Sequence, residues 1–217
     1  TMNPYSNFIQ SNKSIFKQNN GLLDADYTKF FETQRIAAHW IKLPSKQRTS
    51  YPHAESHEEE FIFVISGRPH VWINGYIYQL DPGHAIGFPA GTGIAHCFLN
   101  NTDDEVEMIV LGDRTKKENK CAFPINHELK STHQNIWWSD FPKQSLGGHN
   151  GAVGNLNFQR DAAEISYIKN IKDLKRSKSF SYNNDTETFT TGVRLTDYVD
   201  LKTVGVWHEQ MSPGKRS

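Results

Sequence analysis

The sequence has little of what marks a secreted, membrane-embedded or nucleic-acid-binding protein. Its 217 residues include only two cysteines, Cys97 and Cys121, too few for a disulfide framework. It has no apolar run of about 18 residues, so we expect no membrane span. Residues 1–5 lack a basic segment followed by an apolar stretch. We therefore expect no signal peptide, reduced thiols and a cytoplasmic location.

An excess of positive charge is also missing. Lys and Arg total 24, and Asp and Glu also total 24. Without a basic surplus to neutralise phosphates, we expect no nucleic-acid partner. What the chain does have is 12% aromatic residues and a moderate 22% of charged residues, which favour a packed core over disorder.

Short apolar runs separated by turn residues fill the middle of the chain. The pair Asn74-Gly75 lies between two such runs and is a strong hairpin signal. Short strands at regular spacing are typical of an all-β sandwich or barrel. The strand candidates are residues 36–43, 61–65, 71–73, 76–80, 85–88, 96–99 and 106–111.

The rest of the chain divides around this barrel. We expect an N-terminal extension over 1–34, where Asp26 could cap a short helix, a barrel over 35–115, and a linker or arm over 116–162. The glycine cluster of 147–151 favours a flexible linker. The last 14 residues resemble residues 36–49, with Arg216 aligned to Arg48, so 163–217 is predicted to be a partial second β unit that packs on the barrel or on a neighbouring subunit.

Imidazoles and carboxylates cluster at two turns of the predicted barrel. His53 and Glu55 are two residues apart, so in a strand both point to one side. Glu60 begins the next strand and can face the same interior, with Ile62 as apolar lining, while His96 leaves the turn after Gly91. Such a cluster inside a barrel requires a metal ion or mutual protonation. We expect Glu58 and Glu59 to face solvent, and Cys97 to point away from the cluster.

At these residues the chain resembles the cupin superfamily. The first cupin motif is Gly-x5-His-x-His-x3or4-Glu-x6-Gly, and the second is Gly-x5-Pro-x-Gly-x2-His-x3-Asn. The resemblance implies an all-β cupin barrel, a double-stranded β-helix or jelly roll, extended here by a C-terminal arm and the partial second unit of a bicupin. The residues that match are His53, Glu60 and Gly67 for the first motif and Gly83, Pro89, Gly91, His96 and Asn100 for the second.

The sequence departs from the motifs at three points. Glu55 replaces the second histidine, Gln47 replaces the opening glycine, and four residues instead of two separate Gly91 from His96. The resemblance therefore implies a metal site of His53, Glu55, Glu60 and His96. An alternative recruits His57 in place of Glu55, although the strand parity of Glu55 is the better match. The family's usual metals are Mn, Fe, Ni, Zn and Cu, and the sequence does not select one.

The resemblance implies a metal-dependent enzyme that acts on a small polar molecule, with dioxygenase, decarboxylase and isomerase chemistry all open. A non-catalytic small-molecule binding or sensor protein is the alternative, and a storage or structural bicupin fragment is a third. No catalytic or substrate-binding residue can be assigned. Similar cupins commonly dimerise by exchanging N-terminal strands, so a homodimer is expected.

Overall fold

The computed structural model describes residues 16–19, 21–113, 117–178 and 190–214. Most of the regular structure in these residues is β, as predicted. Residues 1–15 of the expected extension and Arg216 of the expected repeat lie outside the described residues. The strands are β1 (Lys17–Asn19), β2 (Leu22–Asp26), β3 (Ile36–Leu43), β4 (Ala54–Glu55), β5 (Glu60–Ser66), β6 (His70–Ile73), β7 (Tyr76–Gln79), β8 (His84–Phe88), β9 (His96–Leu99), β10 (Val106–Asp113), β11 (Cys121–Ala122), β12 (Gln159–Arg160), β13 (Ile168–Asn170), β14 (Ser177–Lys178), β15 (Thr191–Arg194) and β16 (Trp207–Gln210).

Helical structure is confined to short segments. The α-helix α1 (Tyr27–Phe30) begins at Asp26, whose side chain accepts a hydrogen bond from the Lys29 amide at 3.0 Å, as the cap prediction requires. None of the helices in the described residues has the length and apolar character needed to cross a bilayer. The 3-10 helices are His127–Ser131, Gln134–Ile136, Ala162–Glu164, Ile171–Asp173 and Leu195–Tyr198.

Two sheets form the barrel. The larger has seven strands in the order β1-β2-β3-β10-β5-β8-β13, and the smaller has four in the order β12-β7-β6-β9. The predicted strands of residues 36–43 and 96–99 have the expected bounds, and the others differ by one or two residues at their ends. Asn74 and Gly75 both have positive φ (47° and 85°), which is the backbone of the hairpin turn predicted between β6 and β7.

The core lies between these two sheets. Ile62 of β5 points into it, as predicted, and so does Val64; both pack in one cluster with Val71 and Phe98 from the smaller sheet. Alternate residues of each strand therefore fill one interior. Because the strands close around apolar side chains, the polar groups at one end of the barrel are attached to a packed core.

The outer faces of the sheets are covered as well. Phe61 and Phe63, on the opposite side of β5 from Ile62, pack with residues of the C-terminal segment, among them Leu195 and Val199. On the smaller sheet Trp72 is fully buried. Burial on both faces explains why these strands read as continuous apolar runs with little alternation.

The described part of 116–178 lies along the barrel and adds strands to it. β11 pairs with β4, β12 pairs with β7, and β13 pairs with β8. The glycine cluster is not a flexible linker, because Gly147 N donates to Asn74 O at 2.7 Å and His149 N donates to Gly75 O at 2.9 Å. The cluster instead rests on the β6–β7 turn.

The C-terminal strands β14, β15 and β16 form a three-stranded sheet of their own. It is tied to the barrel by the apolar cluster around Phe61 and by Glu59. Glu59 is 6% exposed, so the expectation that it faces solvent is wrong. Its carboxylate accepts hydrogen bonds from residues 202–204 instead. Whether residues 163–217 are part of a second cupin unit stays a prediction.

Candidate metal centre

The two predicted histidines are direct cross-strand neighbours. His53 N donates to His96 O at 3.1 Å, and His96 N donates to His53 O at 2.8 Å, which forms an antiparallel bridge. Paired residues of an antiparallel bridge place their side chains on one side of the sheet. The two imidazole ring centres consequently lie 5.2 Å apart.

Glu60 reaches the same point from the larger sheet. It pairs with Phe88 of β8, and the Phe88 ring stacks on the His96 ring with their centres 3.5 Å apart. The His96 Nε2–H donates to Glu60 Oε2 at 2.5 Å. The aromatic stack and the charge-assisted hydrogen bond together fix the His96 ring, which is 3% exposed.

His53 is oriented by the backbone of its own turn. Its Nδ1 lies 2.9 Å from the carbonyl oxygen of Tyr51, a contact that requires the proton on Nδ1. Nε2 then carries the lone pair with which a neutral histidine binds metal. A backbone acceptor on the far nitrogen is the usual way in which a protein holds a metal-binding imidazole.

These three side chains could hold one ion. Ligand atoms of His53, Glu60 and His96 all lie within 4.8 Å of one another. They also line a cavity of about 50 Å³ inside the barrel, with Ile62 and Phe98 among its apolar walls. Two atoms bound to one ion at about 2.2 Å lie at most about 4.4 Å apart, so small side-chain movements would suffice. Nitrogen and oxygen donors suit divalent transition metals.

Glu55 lies beside this trio and not within it. Its Oε1 is 3.8 Å from His53 Nε2, so the predicted shared orientation of the two side chains holds. Its carboxylate is also held from the arm, because the Asn119 amide donates to Oε2 at 2.9 Å and the Cys121 thiol approaches Oε1 at 3.7 Å. His57 is exposed, with Nδ1 2.8 Å from the Ser56 hydroxyl. The fourth ligand stays a prediction.

The pKa values of the Glu55 and Glu60 carboxyl groups are shifted in opposite directions. Burial alone would raise the pKa of Glu60, but the hydrogen bond from His96 and the charges of His96 and His53 lower it below its usual value. For Glu55, burial dominates and raises the pKa despite the attraction of His53, and the charge of Glu60 adds to the rise. Burial, helped by Glu55, also raises the pKa of the Cys121 thiol to about 12, which keeps its proton available to Glu55.

Comparisons with known proteins agree with this architecture. Residues 39–112 match the family model described as the cupin domain. The fold also matches a proposed sugar phosphate isomerase from Acidithiobacillus ferrooxidans, with a TM-score of 0.50 and 20% identity over 56% of this chain and 83% of that one. Residues 39–112 therefore form a cupin domain. No curated protein matches the chain.

Two further structures are similar to this chain. A proposed glyoxylate-induced protein from Pseudomonas aeruginosa gives a TM-score of 0.51 and 11% identity over 83% of this chain and 52% of that one. A sugar phosphate isomerase of the cupin superfamily from Silicibacter pomeroyi gives a TM-score of 0.46 and 22% identity over 48% of this chain and 66% of that one. At such identities the matches with TM-scores of 0.50 and 0.51 establish the fold alone.

A much larger cavity opens beside His53, Glu60 and His96. Its volume is about 710 Å³, and His53 and Thr49 line both it and the small inner cavity. One wall is the segment that leads into β4. The opposite wall comes from the arm, where the Phe123 ring lies 6.2 Å from the His53 ring. The lining residues are Gln47, Arg48, Thr49, Ser50, Tyr51, His53, Glu55, Cys121, Phe123, His133 and Ile136.

Sequence reasoning missed the residues that build this cavity. Arg48 was named only as part of the repeat. The lining residues Phe123 and His133 were not singled out, nor was Asn119, which holds the Glu55 carboxylate. They lie about 65 to 80 residues beyond His53 along the chain, beyond any local periodicity. A third cavity of about 210 Å³ lies next to Glu55 and Glu60, with His39 in its wall.

Proposed function

We propose that this cupin binds one divalent transition-metal ion through His53, Glu60 and His96 and acts as a metal-dependent enzyme on a small polar molecule. The observation that carries the proposal is the convergence of three ligand atoms within 4.8 Å at the inner end of a large cavity. Two imidazoles and one carboxylate leave coordination positions open for a substrate.

A bound ion would supply Lewis-acid chemistry at this point. The chain's own residues would bind the substrate in the large cavity and handle a proton. Glu55 is the candidate for the latter, because burial raises its pKa and because it lines the cavity next to His53. Its contacts with Asn119 and Cys121 would hold the carboxyl in place during such a transfer. The reaction type within this class is left open.

The alternative function is a non-catalytic binding or sensor cupin. One observation favours it: His96 Nε2 and Glu60 Oε2 are joined by a hydrogen bond of 2.5 Å, which an ion bound by both atoms would have to replace. In that case the large cavity would take a small molecule and signal its presence through the arm.

We also propose that two copies of the chain associate. The supporting observation is strand β1, which forms one edge of the seven-stranded sheet and has exposed side chains. In the part of the chain that the structure describes, β1 pairs on one side only, and such an edge offers backbone groups to a second chain. Sedimentation that stays monomeric at all concentrations would reject this dimer.

Elemental analysis tests the metal proposal. The protein is purified without a metal-affinity tag, together with His53→Ala, His96→Ala and, as a control outside the site, His84→Ala. We expect one transition-metal ion per chain in the wild type and the control, and loss of the ion in the two site variants. Substoichiometric metal, with small-molecule binding unchanged in His53→Ala, would favour the non-catalytic alternative.

A further inference from the structure

Among the residues that the structure describes, Arg48 is the single Lys or Arg side chain that lines the large cavity beside the candidate metal centre. It lies on the segment before β4, five residues before His53. The cupin motifs contain no arginine at this point, and nothing in the metal proposal uses it. The cavity is large enough for a small organic molecule, so the Arg48 cation could contact such a ligand.

The guanidinium group of Arg48 is held in place but not saturated. Its Nη1 donates to the Gly151 carbonyl at 3.2 Å, and its Cζ lies over the Tyr51 ring, 4.2 Å from the ring centre. Within the described part of the chain, that is the one hydrogen bond it donates. A guanidinium has five N–H donors, so donors remain for a ligand. A planar fork that is held over an aromatic ring and has spare donors can bind an oxyanion at two points.

The other walls define the rest of the ligand. The barrel side offers polar groups, among them the Gln47 amide and the Ser50 hydroxyl, while Phe123 and Ile136 of the arm offer apolar surface. The acidic group of the lining, Glu55, is already engaged by Asn119 and Cys121. The cavity thus suits a small molecule with a carbon skeleton, polar substituents and one anionic end.

We propose that Arg48 binds the anionic group of the substrate, a carboxylate or a phosphate on a small polyhydroxylated molecule, and so directs its other end toward His53. This inference rests on the proposed function, because it takes the large cavity as the substrate site. It narrows the substrate class from any small polar molecule to a small organic oxyanion.

The competing role for Arg48 is structural. Its hydrogen bond to Gly151 ties the glycine cluster to the barrel, so a variant could lose stability without any effect on ligands. A matched control is Arg68→Gln, which removes the same charge from an exposed residue that pairs with Asp81 and lies outside the cavity. Melting temperatures of all variants separate loss of fold from loss of binding.

The experiment is isothermal titration of wild type, Arg48→Gln, Arg48→Lys and Arg68→Gln with two matched pairs of probes. D-gluconate is compared with D-glucitol, and D-ribose 5-phosphate with D-ribose, so the two pairs distinguish a carboxylate from a phosphate. Each titration is run on chelator-treated and on Mn²⁺-loaded protein. We expect at least one anion to bind about 10- to 100-fold more tightly than its neutral partner.

The preference should disappear in Arg48→Gln, be reduced in Arg48→Lys and persist in Arg68→Gln. No preference in the wild type, or an unchanged preference in folded Arg48→Gln, would overturn the inference. If Arg48→Gln does not fold, the NMR signal of the Arg48 Nε–H decides, since it must shift when the preferred anion is added. If the wild-type protein binds no metal but still prefers the anion, the proposed function is rejected and the Arg48 subsite is retained.

Discussion

Glu59 Oε2 accepts two hydrogen bonds from one residue 144 positions away, 2.8 Å from the Thr203 amide and 2.8 Å from its hydroxyl. The same carboxylate accepts from the amides of Lys202 at 3.0 Å and Val204 at 3.3 Å. These donors satisfy the hydrogen-bonding needs of a carboxylate that is buried away from water. The contact fixes the C-terminal segment next to Glu60 of the candidate metal centre.

Glu59→Ala should therefore destabilise the protein strongly. It leaves several donors of residues 202–204 without their acceptor, and the expected loss in free energy of unfolding is about 3 kcal/mol. Glu59→Gln, which keeps one acceptor oxygen, should lose less. Urea unfolding measures both, and Glu118→Ala at an exposed position is the control. Equal unfolding midpoints for Glu59→Ala and the control would contradict this role.

Gly147 makes a second long-range contact. Its backbone lies so close to the β6–β7 turn that a side chain on Gly147 would not fit. A Cβ placed on it would lie 2.3 Å from the Gly75 carbonyl oxygen, which is backbone and cannot move aside easily. We expect Gly147→Ala to cost about 2 to 3 kcal/mol of stability through overpacking. Gly205→Ala is the control, because its Cβ would meet only an arginine end at 3.6 Å. Similar melting temperatures for both variants would mean that the cluster is not packed on the turn.

These two contacts show where prediction from the sequence ends. Strand bounds and the Asn74-Gly75 turn follow from local signals, and strand parity plus the two cupin motifs place His53, Glu60 and His96. Glu59 and Gly147 were misjudged because a glutamate in a turn and a run of glycines look solvent-exposed locally. Glu59 is buried and Gly147 is held in place only because distant segments of the chain supply their partners.

The arm was beyond prediction for the same reason. Phe123 and Asn119 have no periodic pattern that would place them beside His53 and Glu55. Their position depends on the short pairing of β11 with β4, two residues on each strand. Such brief pairing leaves no recognisable sequence signal.

His70 should make the stability of the protein depend on pH. It is 3% exposed and accepts a hydrogen bond from the Asn101 amide at 3.3 Å, which suits the neutral ring. Burial, with the charges of His149 and Arg68, lowers its pKa from 6.5 to about 4. Between these values the unfolded chain binds the proton more readily, so stability falls as pH falls from about 6.5 toward about 4.

The expected loss from this group between pH 8 and pH 5 is about 1 to 2 kcal/mol. His70→Gln cannot take up the proton, so its unfolding free energy should change less over this range than that of the wild type. Urea titrations at both pH values measure the difference, with His127→Gln at an exposed position as the control. The same pH dependence in wild type and His70→Gln would assign the acid sensitivity to other groups.

Substitution of the carboxylates should settle the fourth ligand. Glu60 lies within the trio, so Glu60→Gln should lower metal affinity by about 100-fold or more, whereas Glu55 lies beside it and Glu55→Gln should lower affinity by about 10-fold. His57→Ala should leave affinity unchanged, because this exposed side chain lies outside the trio. Competition with a chromogenic chelator measures all three. An equal loss in Glu55→Gln and Glu60→Gln would make Glu55 a direct ligand, and a loss in His57→Ala would instead favour the three-histidine site.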